Sequence, residues 1–141
     1  MATILAFAAG TLIGMTICYE DAFPRDVLKS LPAAEVLANV SEDEWFGHSL
    51  APGQRVQMAR MRAIETQRPM LRAANTGVSA IIDDEGTITA KSRQFVETVV
   101  KGTAQPMRGS TPFIFWGNLG ILTVGGVLLL LALVVDFRSR G

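Results

Sequence analysis

Between Asn118 and Val135 the chain runs for 18 residues without a charge, and this stretch restricts the fold more than any other. Wound as a helix it is roughly 27 Å long, and with the aromatics just ahead of it, Phe113, Phe115 and Trp116, it matches the thickness of a bilayer core. It reads as a transmembrane helix with Trp116 as an interfacial anchor. Arg138 and Arg140 follow directly, so the positive-inside rule places the C-terminus in the cytoplasm and the preceding residues outside, with Lys101 and Arg108 opposing that bias. The 141 residues leave room for one modest domain ahead of the span. The expected division is a domain over 1–108, a linker over 109–117, the helix over 118–136 and a tail over 137–141.

Within the domain the chemistry concentrates at Thr11 to Asp21, TLIGMTICYED. An apolar run that can serve as a buried strand leads to Cys18, the only cysteine, and Glu20 and Asp21 follow at once. Phe23-Pro24 then opens a helical pattern over Val27, Leu28 and Leu31, with proline near the first turn. A thiol on such a strand-to-helix turn lies beside helix N-terminal amides, which favour the thiolate, so Cys18 is a candidate nucleophile. The rival is a small buried thiol with no chemistry. A lipidated signal cysteine is discounted, because Met1 to Ala9 has no basic residue and Ile17 is not the small residue that cleavage needs.

Composition closes other routes. Thirteen basic and thirteen acidic residues cancel, which gives no support for nucleic-acid binding. One cysteine forms no internal disulfide, one histidine (His48) builds no metal cluster, and the acids lack a calcium-loop spacing, so no metal or cofactor is implied.

Ala2 to Ile17 is uncharged but broken by Gly10 and Gly14, and it reads mainly as loop and strand rather than as an anchor helix. Next come a short helix over Arg25–Leu31 ended by Pro32, a strand over Val36–Val40 and a polar loop over Ser41–His48. A helix runs from about Ser49–Pro52 to Gln67, where Arg68-Pro69 stops it. Its methionines, Met58 and Met61, read as core packing. Beyond Met70 the texture turns to strands at Leu71–Ala74, Val78–Ile82, Thr87–Ala90 and Phe95–Val100, with Asp83-Asp-Glu-Gly86 as a hairpin signal. Helices and strands alternate first and strands dominate later, which points to a layered α/β sandwich.

Three segments carry a resemblance: ICYED at Ile17 to Asp21, NVSEDEWFG at Asn39 to Gly47, and QMARMRAIETQRPMLRAANTGVSAIID at Gln57 to Asp83. Together with GSTPF at Gly109 to Phe113 and the terminal span, they resemble the C-terminal half of bacterial apolipoprotein N-acyltransferases, within the nitrilase or carbon-nitrogen hydrolase superfamily. The resemblance implies α/β architecture: a partial nitrilase-like αββα sandwich over 1–108, followed by one C-terminal transmembrane helix. It also implies an inner-membrane protein whose domain faces the periplasm.

The implied reaction moves an acyl chain from a phospholipid donor to the N-terminal amine of a diacylglyceryl lipoprotein through a cysteine thioester, with no cofactor and no nucleic acid. Cys18 matches the nucleophile, and Tyr19 and Glu20 match its supporting neighbours. Glu20 reads equally as a helix cap. Trp45 and Phe46 match a loop at the active-site mouth, or are core. Gly77 is expected to supply positive φ in a tight turn.

Two departures stand out. Glu42 and Glu44 flank Asp43 and make this loop more acidic than the family pattern. The family's general-base glutamate and oxyanion lysine come from upstream of the nucleophile, and no residue before Cys18 is charged. The chain therefore reads as the last third of an enzyme, inactive by itself, with its Gly10–Ile17 strand unpaired. The alternatives are a nitrilase- or amidase-type hydrolase and a non-catalytic membrane-anchored remnant.

Overall fold

The computed structural model describes residues 4–139. Ala2, where the first apolar run begins, and Arg140, part of the positive flank, lie outside the described residues.

The first apolar run folds back on itself. Strands β1 (Ile4–Ala8) and β2 (Thr11–Ile17) pair antiparallel across the two residues Ala9 and Gly10, at φ 50° and 80°. Positive φ at both central residues gives the tight turn whose twist suits a hairpin, and the glycine supplies one of them without strain. β2 is then parallel to β3 (Val36–Ser41), so the strand expected to stand unpaired has neighbours on both sides. The missing term in that expectation was β1, an edge strand made from residues with little strand signature.

The six strands follow chain order across one sheet. β3 is parallel to β4 (Met70–Ala74), whereas β5 (Ala80–Ile82) and β6 (Ile88–Lys91) continue antiparallel. Each parallel connection carries helix: α1 (Pro24–Leu28) between β2 and β3, and α2 (Ala51–Thr66) between β3 and β4. α1 is shorter than expected. After Leu28 the backbone tightens to three-residue turns, with Ser30 N–H donating to Val27 O at 3.2 Å and Leu31 N–H to Leu28 O at 3.1 Å.

α2 buries Pro52, Arg55, Val56, Ala59, Arg62, Ala63 and Thr66, a stripe at three- and four-residue spacing. Its small residues let the helix approach the sheet closely. Ala59 and Ala63 join Val27, Ala34, Leu37, Met70, Ala80 and Ile82 in the core. Met58 and Met61 were expected there. Met58 falls on the flank of the stripe and is half-buried, and Met61 falls opposite it and is exposed.

The other face of the sheet is apolar too, with Ala38, Leu71 and Ile81 beneath an extended strap over residues 98–104 and a cavity of about 670 Å³ between them. A Cβ on Gly102 would lie 2.8 Å from Ile81 Cδ1, so the strap runs close over β5 and a larger residue there would push the Ile81 side-chain tip aside. Phe95–Val100, expected as a strand, is irregular: Phe95 turns at φ 57° and donates its N–H to Thr76 O at 3.0 Å.

The strap leads to α3 (Pro112–Trp116), inside the stretch expected as a linker, and α4 (Leu119–Ser139). Arg68 ties that approach to the core by donating to Ala34 O at 2.8 Å and Gly109 O at 2.7 Å. Thr111 Oγ1 donates to Glu65 O at 2.7 Å and accepts from Ile114 N–H at 3.2 Å, which caps α3. By length and composition α4 can cross a membrane over Leu119–Arg138, and no residue of that span is buried in the rest of the chain.

Candidate functional site

The inner face of the sheet changes character along its strands. Its apolar part is Leu37, Met70 and Ile82. One step further toward the C-terminal ends of β2, β3 and β4 it presents Thr16, Asn39 and Arg72, and then Ser41. Charge on a fully buried strand position needs partners of opposite sign. Arg72 finds two, and a neutral amide besides: Nη1 donates to Asp21 Oδ2 at 3.1 Å and to Asn39 Oδ1 at 2.7 Å, and Nη2 to Asp43 Oδ2 at 2.7 Å. Ser41 Oγ donates to Asp43 Oδ1 at 2.6 Å. Arg55 enters from α2, with Nη2 3.1 Å from Asp21 Oδ1 and 3.3 Å from Ser41 Oγ. Burial pushes the Asp21 carboxyl up, and the Arg55 and Arg72 guanidinium groups only partly offset it.

This buried cluster underlies Cys18. The residue ends β2 at φ 52°, in the left-handed region that non-glycine residues seldom occupy, and begins a 3-10 turn over Cys18–Ala22. Its carbonyl accepts from Arg55 Nη2 and from Asn39 Nδ2, the latter at 3.1 Å. The guanidinium of Arg55 also lies 4.6 Å from the centre of the Tyr19 ring, which meets Phe23 edge-on with centroids 6.0 Å apart. Glu20 Oε2 accepts from Ile17 N–H at 2.8 Å and so closes the turn from outside.

Cys18, half-buried, is the shared wall of two depressions. One, about 570 Å³, is bounded by Ile4, Ile17, Tyr19, Glu20, Phe23 and Asp26 and is largely apolar. The other, about 470 Å³, lies over the ends of β3 and β4 between Val40, Glu42, Ala73 and Asn75. Among the described residues, no group of three or more His, Cys, Asp or Glu side chains is placed to hold a metal. A thiol on a tight turn at the end of a parallel strand, with an apolar cleft beside it, is suited to attack the carbonyl carbon of a substrate.

Residues 3–112 match the family model described as carbon-nitrogen hydrolase. The chain belongs to the carbon-nitrogen hydrolase family. Among curated relatives, it is similar to the apolipoprotein N-acyltransferase of Nitrosomonas europaea, 43% identical over 132 residues that make up 94% of this chain and 27% of the relative. It is also similar to the protein of that name from Methylococcus capsulatus, 50% identical over 111 residues, or 79% of this chain and 22% of the relative. This carbon-nitrogen hydrolase chain thus spans about a quarter of the length of the curated relatives it matches.

Among solved structures, Saccharomyces cerevisiae Nit3, a member of branch 10 of the nitrilase superfamily, superposes with a TM-score of 0.60 at 21% identity, covering 69% of this chain and 39% of Nit3. A mutant amidase from Nesterenkonia sp. AN1, carrying the product of Michael addition of acrylamide at its active-site cysteine, gives 0.57 at 14% identity, covering 71% of this chain and 41% of the amidase. The α/β fold is therefore nitrilase-like, as the resemblance implied, with one sheet and its α1 and α2 layer among the described residues.

Within this carbon-nitrogen hydrolase chain the sequence-predicted residues fall into two groups. Cys18, Tyr19 and Glu20 share one turn. Trp45 and Phe46 occupy a second 3-10 turn, Glu44–Phe46, where Trp45 is 88% exposed and Phe46 half-buried. The link between the turns is the buried chain Asp21–Arg72–Asp43.

The loop acids do not act alike. Glu42 and Glu44 face solvent, whereas Asp43 is buried under Arg72, so the acidic run is a pin flanked by two solvated carboxylates. Gly77 does not have the expected positive φ. It is needed because a Cβ there would lie 2.1 Å from Asp43 Oδ2.

Sequence reasoning missed Asn39, Arg55 and Arg72. A signal was present: Arg72 sits two residues from Met70 on the inward face of β4, and Arg55 falls in the buried stripe of α2 beside Val56 and Ala59. A charge at a core position announces a buried partner.

Proposed function

We propose that the chain is the nucleophile-bearing part of an acyltransferase that moves an acyl group from a phospholipid to the N-terminal amine of a diacylglyceryl-cysteine lipoprotein. The Cys18 thiolate attacks the ester carbonyl of the phospholipid. The carbon–sulfur bond forms, the carbon–oxygen bond breaks, and a lysophospholipid leaves with the electron pair and a proton. The lipoprotein amine then attacks the thioester. A carbon–nitrogen bond forms, the amine loses a proton, and the thiolate is released. Dividing the transfer in this way replaces one difficult step with two easier ones.

In this reading Tyr19 and Glu20 support the nucleophile, and Trp45 and Phe46 stand at the mouth. The apolar cleft beside Cys18 receives the acyl chain. The bilayer supplies the donor, α4 crosses the bacterial inner membrane, the domain faces the periplasm and the C-terminus is cytoplasmic. No cofactor takes part.

The observation that carries the proposal is the left-handed Cys18 turn beside an apolar cleft, in a chain 43% identical over 132 residues to a protein named apolipoprotein N-acyltransferase. The 141 residues carry no acid or lysine before Cys18 to serve as base and oxyanion donor, so the chain alone is expected to be inert in the full transfer.

A chimera tests both statements. The matching segment of the Nitrosomonas europaea relative is replaced by this chain, and transfer of labelled acyl groups from phosphatidylethanolamine to a diacylglyceryl peptide is followed. The chimera should transfer and its Cys18→Ala form should not; the free chain should be silent. An inert chimera beside an active parent sinks the acyltransferase reading, and an active free chain sinks the dependence on further residues. A second reading, hydrolysis of a carbon–nitrogen bond, is favoured by the likeness to the Nesterenkonia amidase fold. Ammonia release from simple amides by the chimera, without acyl transfer, would establish that reading instead.

A further inference from the structure

We infer that Arg55 is the positioning residue of the Cys18 turn: by holding the Cys18 carbonyl from beneath, it aims the thiol and the following backbone N–H at the same carbonyl group of a substrate. The inference rests on Cys18 being the nucleophile.

A residue at φ 52° needs something to keep it there, since the left-handed region crowds its side chain against the backbone. Two donors converge on the carbonyl of Cys18, one from Arg55 on α2 and one from Asn39 on β3, and both come from inside the protein. Arg55 is itself buried, and its polar contacts run through one nitrogen. It is 2% exposed, reaches Ser41 Oγ and Asp21 Oδ1 with the same Nη2, and lies against the Tyr19 ring. One guanidinium therefore touches both residues of the Cys18–Tyr19 peptide and the acid two places further on.

Geometry then makes a link to chemistry. In a trans peptide the C=O and the next N–H point in opposite directions. With the Cys18 carbonyl drawn inward to Arg55 and Asn39, the Tyr19 N–H is turned outward, to the side from which a substrate reaches the thiol. An N–H from the residue after a nucleophile stabilises the oxygen that becomes negative when the carbonyl is attacked. Alkylation of a thiol creates no such oxygen and does not need that donor. Arg55 should therefore matter for acylation of Cys18 and much less for its alkylation, whereas a residue that only supported the fold would affect both alike.

The test uses the full chain in detergent micelles, where Cys18 is the only thiol. Acylation is read as p-nitrophenolate released in the first turnover of a p-nitrophenyl alkanoate. The ester carbon gains sulfur and loses the phenolate, which leaves without a proton. Alkylation is read with iodoacetamide at the same pH. Arg55→Met should slow acylation about 10- to 100-fold and change alkylation by less than about threefold, with Arg55→Lys intermediate in acylation. Asn39→Asp keeps the side-chain size, replaces the second donor with an acceptor, and should produce the same split even if Arg55→Met does not fold.

Equal loss of both reactions, or acylation unchanged in the folded variants, overturns the positioning role. Absence of acylation in the unmodified chain, with alkylation intact, also overturns the positioning role, because the Tyr19 N–H then supports no attack in this chain, whereas the acyl-carrier reading of Cys18 stands or falls with the chimera.

Discussion

The two halves of the inner sheet face share β3 and β4 and obey opposite rules. At Leu37, Met70 and Ile82 the strands meet small helix residues, and stability comes from apolar area removed from water. One strand position further along, at Thr16, Asn39 and Arg72, they meet Asp21, Asp43 and Arg55, and every group needs a particular partner. The apolar half needs volume and shape and tolerates exchange between residues of similar size. The ionic half holds turns in place: β2 hands over to the Cys18 turn and β3 to the Trp45 turn, and both turns are bound to Arg72 through Asp21 and Asp43. The fold thus separates what binds layers together from what holds the Cys18 and Trp45 turns.

The largest contrast should come from exchanging residues two places apart on β4. Arg72→Met leaves Asp21 without one of its two guanidinium partners and Asp43 without its own, and should cost about 3–5 kcal/mol of stability. Met70→Leu, a volume-conserving change at an equally buried site, should cost less than about 1.5 kcal/mol. Thermal unfolding of the chain in micelles gives both values. Adding Asp43→Asn to Arg72→Met should recover part of the loss, since it removes one stranded charge. Equal costs for Arg72→Met and Met70→Leu would mean that the ionic half behaves as ordinary core.

A smaller effect is expected where the ionic half meets a turn. The loop Asn75–Gly77 lies against the Asp43 pin: Asn75 Oδ1 accepts from Asp43 N–H at 3.1 Å, and Gly77 approaches the carboxylate so closely that no side chain fits. Asp43 cannot yield without leaving Arg72. Gly77→Ala should therefore cost about 1–3 kcal/mol, and Gly53→Ala, which has open space at its Cβ, should cost nothing or stabilise α2. Chemical denaturation of the two variants separates these outcomes.

The apolar half was legible because period and residue type agree. Val36–Val40 is the apolar run of a buried strand, the Asp83–Gly86 turn marks a hairpin, and α2 ends at Thr66, just before Arg68-Pro69. The ionic half was hidden because its members come from β2–β4, α2 and two turns, and no periodicity links residues 21, 43, 55 and 72. Cys18 could be singled out from its flanks. That its carbonyl is gripped from below could not, since the donors lie 21 and 37 positions away. Misplaced expectations had local causes as well: Met61 fits a helical apolar pattern, yet the true stripe is set by alanines that let α2 approach, and an exposed edge strand such as β1 carries no polar alternation to announce it.

The mildest test of the contrast compares a buried ion pair with an exposed one. Glu35 accepts from Arg108, which lies in the segment leading to α3, and from Leu12 N–H at 3.3 Å. The Arg108 hydrogen bond chiefly, and the Leu12 amide next, hold the Glu35 carboxyl below its ordinary value. A carboxyl lowered on folding binds its proton less tightly in the native state. Its stabilising contribution is therefore complete above the ordinary glutamate value and is lost as pH falls through the lowered one. Arg108 is 84% exposed, so water and salt screen the pair and its effect is small beside that of Arg72. Arg108→Gln should lower the unfolding temperature slightly at neutral pH, and that difference should shrink as pH falls below the carboxylate range and as salt is added. A difference that persists at low pH would show that Arg108 acts through the packing of its stem rather than through its charge.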